Sequence, residues 1–175
     1  MEAKPTILVV DDERDLADLY ATWVADEYAV RTAYNGQSAL DQADEDVDVL
    51  LLDRQMPDRS GDEVLSQIRA RGLDCWVIMI TAVDPGLDIV ELEIDDYVTK
   101  PVTRSTLIRI VENLRVQSRY TDTGRRRLTS ISNKMETLED ESQITDVEET
   151  DAYRELEADM KKLSDSLVDV AEDER

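Results

Sequence analysis

"DVLLLDRQMPDRSG", residues 48–61, runs three consecutive leucines into an acid. Leu50, Leu51 and Leu52 read as a strand buried on both faces, because a short unbroken apolar run fits the interior of a parallel sheet. Asp53 ends that run, and a carboxylate is among the costliest groups to leave beside a core. Met56, Pro57 and Gly61 then turn the chain sharply. An acid in that place caps the turn, binds something, or reacts.

The flanking sequence supplies the rest of a sheet. "TILVV" at 6–10, "AVRTA" at 29–33, "VDVLLLD" at 47–53, "CWVIMIT" at 75–81 and the weaker "DYVTK" at 96–100 read as five strands. Between them lie helical spacings: Leu16, Leu19, Tyr20, Trp23 and Val24; Ala39, Leu40 and Ala43; Val64, Leu65 and Ile68; then Leu107, Ile110, Val111 and Leu114. Asn35 and Thr103 are placed to cap helices, and Ser60 with Glu63 forms a capping box. Such alternation predicts an α/β, doubly wound parallel sheet with helices on both faces.

Ligands of such sheets bind beyond the carboxyl ends of the strands. Asp11 and Asp12, Asp53, Thr81 and Lys100 all fall there, so three carboxylates share one edge with a hydroxyl and an ammonium. Carboxylates packed together raise one another's pKa unless something neutralises them. Mg2+ does so with two carboxylates, a carbonyl and waters. Asp53 then keeps an oxygen able to attack phosphorus, with Lys100 and the metal balancing the incoming charge. Taken singly, each residue has a plainer role as a turn former, strand residue or solvated cation. Their joint placement favours a phosphoacceptor.

The combination "VVDDE" at 9–13, "DRQMPDRSG" at 53–61, "TA" at 81–82 and "DYVTKP" at 96–101 resembles the receiver domain of two-component response regulators. The resemblance covers roughly residues 5–117 and implies a five-stranded sheet of order 2-1-3-4-5. It implies that Asp53 accepts phosphate from a histidine kinase. Asp12 and Asp53 would bind Mg2+ directly with the Gln55 carbonyl, and Asp11 through water. Thr81 and Tyr97 would be the switch pair, Lys100 would contact the phosphoryl group, and the bond before Pro101 would be cis. Gln55 and Val83 would influence the lifetime of the phosphorylated state. A Mg2+-dependent aspartyl-phosphate phosphohydrolase is the alternative. The haloacid-dehalogenase phosphatases that use this chemistry need an acid where Gln55 stands, so a signalling protein with slow self-dephosphorylation is expected and not an enzyme of turnover. One departure stands out. In "AVDPGLDIVELEIDDYVT" at 82–99 the family's usual Gly-Ala pair is replaced by Ile94 and Asp95, while Pro85 and Gly86 disfavour an early helix. A short or irregular fourth helix is expected, and with it doubt about dimerisation through that face.

Beyond about Gln117 strand character is lost. The chain divides into a receiver at 1–117 and a helical region at 118–175. There Leu128, Ile131, Met135 and Leu138 step by helical intervals, and Tyr153, Leu156, Met160, Leu163, Leu167 and Val170 form a heptad seam. Neither stripe can be buried alone, so an α-helical hairpin or coiled-coil tail is expected, docked or dimerised. "NKMETLEDE" at 133–141 and "AYRELEADMKKLSDSLVDV" at 152–170 resemble the HalX-type helical domain that follows receivers in halophilic archaea. "GRRR" at 124–127 reads first as a local counter-charge and second as a nucleic-acid or partner contact.

The net charge of -22 divides into -14 over residues 1–116 and -8 over 117–175. Such a surface repels phosphate backbones and disfavours direct DNA binding. Lysine is confined to Lys4, Lys100, Lys134, Lys161 and Lys162, and an acidic, lysine-poor surface suits concentrated salt, where repulsion is screened over a few ångströms. The chain contains no histidine, so histidine-ligated metals and histidine catalysis are excluded. Cys75 stands alone and reads as a small core residue. No apolar run approaches a membrane span and the first residues do not resemble a secretion signal, so a soluble cytoplasmic protein is expected. A sensor histidine kinase and an unidentified downstream protein are the expected partners, with a homodimer through the tail as a further possibility.

Overall fold

The computed structural model describes residues 3–118, 123–141 and 143–173. Five strands alternate with helices through the first 118 residues: β1 (Thr6–Val10), α1 (Arg14–Val24), β2 (Ala29–Ala33), α2 (Gly36–Gln42), β3 (Val47–Leu52), α3 (Gly61–Ala70), β4 (Trp76–Thr81), β5 (Asp96–Thr99) and α4 (Arg104–Ser118). The strands form one parallel sheet of order β2-β1-β3-β4-β5. Alternate residues of each strand face opposite sides. Ile7, Val9, Val49, Leu51, Ile78 and Ile80 pack under α1 and α4 with Ala17, Val24, Leu107 and Val111. Leu8, Val10, Leu50, Leu52, Val77 and Met79 pack on the other side with Ala39, Leu40, Val64, Leu65 and Ile68 of α2 and α3. Leu19 departs from the expected apolar face of α1 and is 42% exposed.

Helix starts follow the local chemistry. Asn35 Oδ1 accepts from the Ser38 amide at 2.7 Å, Ser60 Oγ from Glu63 at 3.2 Å, and Thr103 Oγ1 from Thr106 at 3.2 Å, each satisfying an orphan N–H of the first turn. Between β4 and β5 the chain makes a single 3-10 turn, Leu87–Glu91, entered through an extended Gly86. A full fourth helix is missing there, as the Pro85-Gly86 pair suggests.

The tail occupies that place. α5 (Thr123–Glu141) lies against β5 and the 3-10 turn, and α6 (Asp151–Asp173) turns back on α5 and also reaches the 3-10 turn. Ile131, Leu138, Val147, Tyr153 and Leu156 are buried in the same apolar cluster as Val77, Met79, Ile89, Ile94 and Tyr97. Within one chain, the hairpin therefore buries Ile131, Leu138, Tyr153 and Leu156 of the two tail stripes on the α2–α3 side of the sheet, with Met135, Met160 and Leu163 half-buried beside them. Val147 comes from a stretch that reads as polar, and its burial was not legible in the pattern. Val170 is the last position of the heptad seam, and its side chain lies outside the described residues. Among the described residues no helix is long and apolar enough to cross a membrane.

Candidate functional site

Strand register builds the acid edge. Val10 lies beside Leu52, and the Asp53 amide continues the ladder by donating to the Val10 carbonyl at 2.9 Å, which sets Asp53 beside Asp11. Thr81 lies beside Thr99, and the Lys100 amide donates to the Thr81 carbonyl at 2.8 Å. One carboxylate oxygen from each of Asp11, Asp12 and Asp53 lies within 4.8 Å of the others. Asp11 and Asp53 are buried and Asp12 is exposed, so the cluster opens to solvent on one side. Lys100 Nζ donates to Asp11 Oδ2 at 2.8 Å and stands 3.7 Å from Asp53 Oδ2. The Lys100–Pro101 bond is cis.

One ammonium does not offset three carboxylates. Burial pushes Asp53 up to about 7, with the charge of Asp11 adding to it and Lys100 and the Gln55 amide acting against it. Burial opposes the Lys100 charge, but the Asp11 and Asp53 carboxylates outweigh it, so its pKa is raised. A cluster with this excess of hard oxygen donors and one open side fits a divalent cation.

The remaining candidates converge on the same edge. Thr81 is fully buried, and its Oγ1 accepts from the Val83 amide at 3.2 Å. Tyr97 is buried and its hydroxyl donates to the Val83 carbonyl at 2.8 Å, so the ring is turned inward and both members of the pair hold Val83, Thr81 at its N–H and Tyr97 at its C=O. Gln55 is exposed, and its amide donates to Asp53 Oδ1 at 3.3 Å. Gly61 lets α3 approach the acid: a Cβ there would stand 2.4 Å from the Asp53 carbonyl, and its amide donates to the Arg54 carbonyl at 2.7 Å.

Arg54 stands inside the stretch 53–61 with no role implied by its position in the motif. Its side chain is only 10% exposed and forks onto Asp62 with two bonds of 3.0 Å. It also pairs with Asp88 of the 3-10 turn and lies 6.0 Å from the centre of the Tyr97 ring. Its partners are 8 and 34 residues away, beyond any local spacing rule. Asp58 was likewise unmarked. Its carboxylate accepts from the Gly36 and Gln37 amides at 3.1 Å each, tying the loop after Asp53 to the start of α2.

The basic cluster at 124–127 is resolved at Arg126. Its guanidinium bonds to the buried Asp95 carboxylate at 3.0 and 3.1 Å and to the Asp74 and Cys75 carbonyls, and stacks 4.4 Å over the Trp76 ring. Arg126 thus supplies an intramolecular counter-charge. The Ile94-Asp95 pair is where the tail attaches: Ser130 Oγ donates to the Ile94 carbonyl and Asn133 Nδ2 to the Asp95 carbonyl at 2.8 Å.

Residues 7–112 match the family model of the response regulator receiver domain. A Haloferax volcanii protein carrying the provisional name of transcriptional regulator is 44% identical over 155 residues, covering 88% of this chain and 26% of that protein. The chain thus spans about a quarter of the length of that curated relative. Among solved structures, the Thermotoga maritima response regulator TrrA, in complex with Mg2+ and BeF, is 34% identical with a TM-score of 0.54 and coverage of 62% of this chain and 97% of that one. A CheY-like receiver protein from Methanospirillum hungatei is 25% identical with a TM-score of 0.58, covering 69% of this chain and 100% of that one.

Proposed function

The chain belongs to the response regulator receiver family, and from that premise we propose that Asp53 accepts a phosphoryl group from the phosphohistidine of a sensor kinase. An Asp53 oxygen attacks phosphorus, the P–N bond breaks, and the departing imidazole nitrogen keeps the electron pair and takes a proton. The observation that carries this reading is the cluster itself: three carboxylates within 4.8 Å of one another and one ammonium, 2.8 Å from Asp11 and 3.7 Å from Asp53, with Asp53 at the end of a buried strand. Asp11, Asp12, Asp53 and the Gln55 carbonyl would hold Mg2+, which supplies positive charge against the carboxylates and the phosphoryl oxygens. Lys100 contacts the phosphoryl group. Thr81 turns its hydroxyl from the Val83 amide to a phosphoryl oxygen, and Tyr97 answers through the carbonyl of the same residue. Gln55 carries no acid or base to activate water, so the acyl phosphate decays slowly, and Gln55 and Val83 tune its lifetime. The phosphohydrolase alternative lacks its acid at this same position.

The division at 117/118 separates the phosphoacceptor unit from a HalX-type helical output region that acts through protein contacts. The kinase, a downstream protein and a second copy of the tail are its candidate partners, and the net charge of -22 argues against direct DNA contact. A cytoplasmic setting in concentrated salt is supported by the acidic, lysine-poor composition and by the Haloferax relative. A melting temperature that falls as KCl is diluted is the expected sign of it. The phosphoacceptor reading is tested by incubating the full chain with a small phosphodonor. One phosphoryl group is expected with Mg2+, little with a chelator and none in Asp53→Asn. Equal incorporation in Asp53→Asn would overturn it.

A further inference from the structure

The tail is joined to the acid edge by a series of polar contacts and one short backbone segment, none of which uses the candidate metal ligands. Thr81 Oγ1 and the Tyr97 hydroxyl grip opposite ends of one peptide region, the Val83 amide at 3.2 Å and the Val83 carbonyl at 2.8 Å. Tyr97 faces the Arg54 guanidinium, and Arg54 pairs with Asp88 in the first turn of the 3-10 segment. The far end of that segment is held from the tail: Lys134 Nζ on α5 donates to the Val90 and Leu92 carbonyls at 3.1 and 2.6 Å. Lys134 is 7% exposed. Its long side chain is immobilised for the sake of two carbonyls at the end of one turn, and such ordering of a charged side chain is costly unless those bonds hold.

We infer that Arg54 is a positioning residue of the phosphoacceptor site, and that the Arg54–Asp88 pair and Lys134 couple the state of Asp53 to the docking of α5. The inference rests on the phosphoacceptor reading and deepens it. Coupling between distant sites needs an element with two discrete arrangements that both sites bias. The Thr81 hydroxyl has them, on the Val83 amide or on a phosphoryl oxygen. When it leaves the Val83 amide, the residue whose carbonyl Tyr97 holds is released on its N-terminal side. Tyr97 repacks against Arg54, and because Asp62 in the first turn of α3 anchors one side of the guanidinium, the displacement is taken up at its second carboxylate partner, Asp88. The 3-10 turn then moves against Lys134. A four-turn helix in this place would hold itself by its own ladder. A turn of five residues has few bonds of its own, and beside its buried Ile89 it is held by Arg54 at one end and Lys134 at the other.

The test is amide exchange of residues 123–141 in the full chain, with and without beryllofluoride and Mg2+ as the phosphoryl mimic. In the wild type, beryllofluoride is expected to change exchange in α5 by about fivefold or more, the usual scale of site–site coupling. In Arg54→Gln that response is expected to collapse, while Arg54→Lys, which keeps the charge, restores part of it. The decay of phosphorylated Asp53 in Lys134→Met should differ from wild type by a similar factor. A merely structural Arg54 lowers the melting temperature of both states equally and leaves the response to beryllofluoride intact, which overturns the inference. So does an unmoved α5 in wild type with Asp53 occupied, a comparison that stands even if a variant fails to fold. Failure of Asp53 to bind the mimic at all removes the phosphoacceptor reading along with it.

Discussion

On one side of the sheet, α1 and α4 cover β1, β3 and β4 with Val24, Leu107, Val111 and other aliphatic side chains. On the other, beyond α2 and α3, α5 reaches β5 and the 3-10 turn with Arg126, Ser130, Asn133 and Lys134 beside its apolar stripe. The first surface is closed by non-directional burial, which holds in any small displacement. The second adds directional bonds to buried groups, which are worth little net when made and cost much when broken. A surface of the first kind suits a permanent scaffold. One of the second kind has a defined docked state that a small shift at its partners can undo, and it lies next to the proposed switch.

Breaking the apolar side should have the largest effect. Leu107→Ala leaves a cavity under a fully buried side chain and should cost about 3 kcal/mol, lowering the stability of the whole chain in denaturant titrations at high salt. On the polar side, Arg126→Ala removes the partner of the buried Asp95 while Arg69 remains 3.6 Å away. A loss of about 2 kcal/mol is expected, smaller than for a fully unpaired charge. It should appear as a separate early transition of the tail helices, followed by exchange or proteolysis. A single concerted transition in Arg126→Ala would erase the distinction between the two sides.

A smaller effect sharpens the comparison through pH. Burial, aided by the Arg127 charge, pushes Lys134 down to about 8, against the opposing charges of Asp95 and Glu93. Between that value and the ordinary lysine range the unfolded chain binds the proton and the folded one does not, so stability rises with pH in that window. About 1 kcal/mol is expected between pH 8 and pH 9. The gain should be absent in Lys134→Met.

Much of the sheet and its acid edge was legible in the sequence, because the buried strands β1, β3 and β4 are continuous apolar runs and β1 and β3 lead directly into acids of the cluster. Leu52 leads to Asp53 and Val10 to Asp11, so the strand ends located the cluster without knowledge of the loops. The tail was legible as two helices, but its destination was not. Residues 126, 130, 133 and 134 share helical spacing next to the apolar positions 128, 131, 135 and 138. A polar stripe of that kind ordinarily faces water. Only the carboxylate of Asp95 and the free carbonyls of the 3-10 turn, 31 to 44 residues earlier, make it a contact surface. Arg54 was hidden for the same reason, since its meaning lies in Asp62, Asp88 and Tyr97. Leu19 shows the converse: its spacing matches the buried face of α1, yet nothing packs over it enough to cover it.

The most direct measurement is to trap the product of the phosphodonor reaction with borohydride, which reduces an acyl phosphate to the alcohol, and to locate the altered residue by peptide mass. Asp53 is expected to carry the change and Asp11 and Asp12 none. Reduction at Asp11 or Asp12, or none at Asp53 in a chain that has gained a phosphoryl group, would contradict the assignment of Asp53 as the group that reacts.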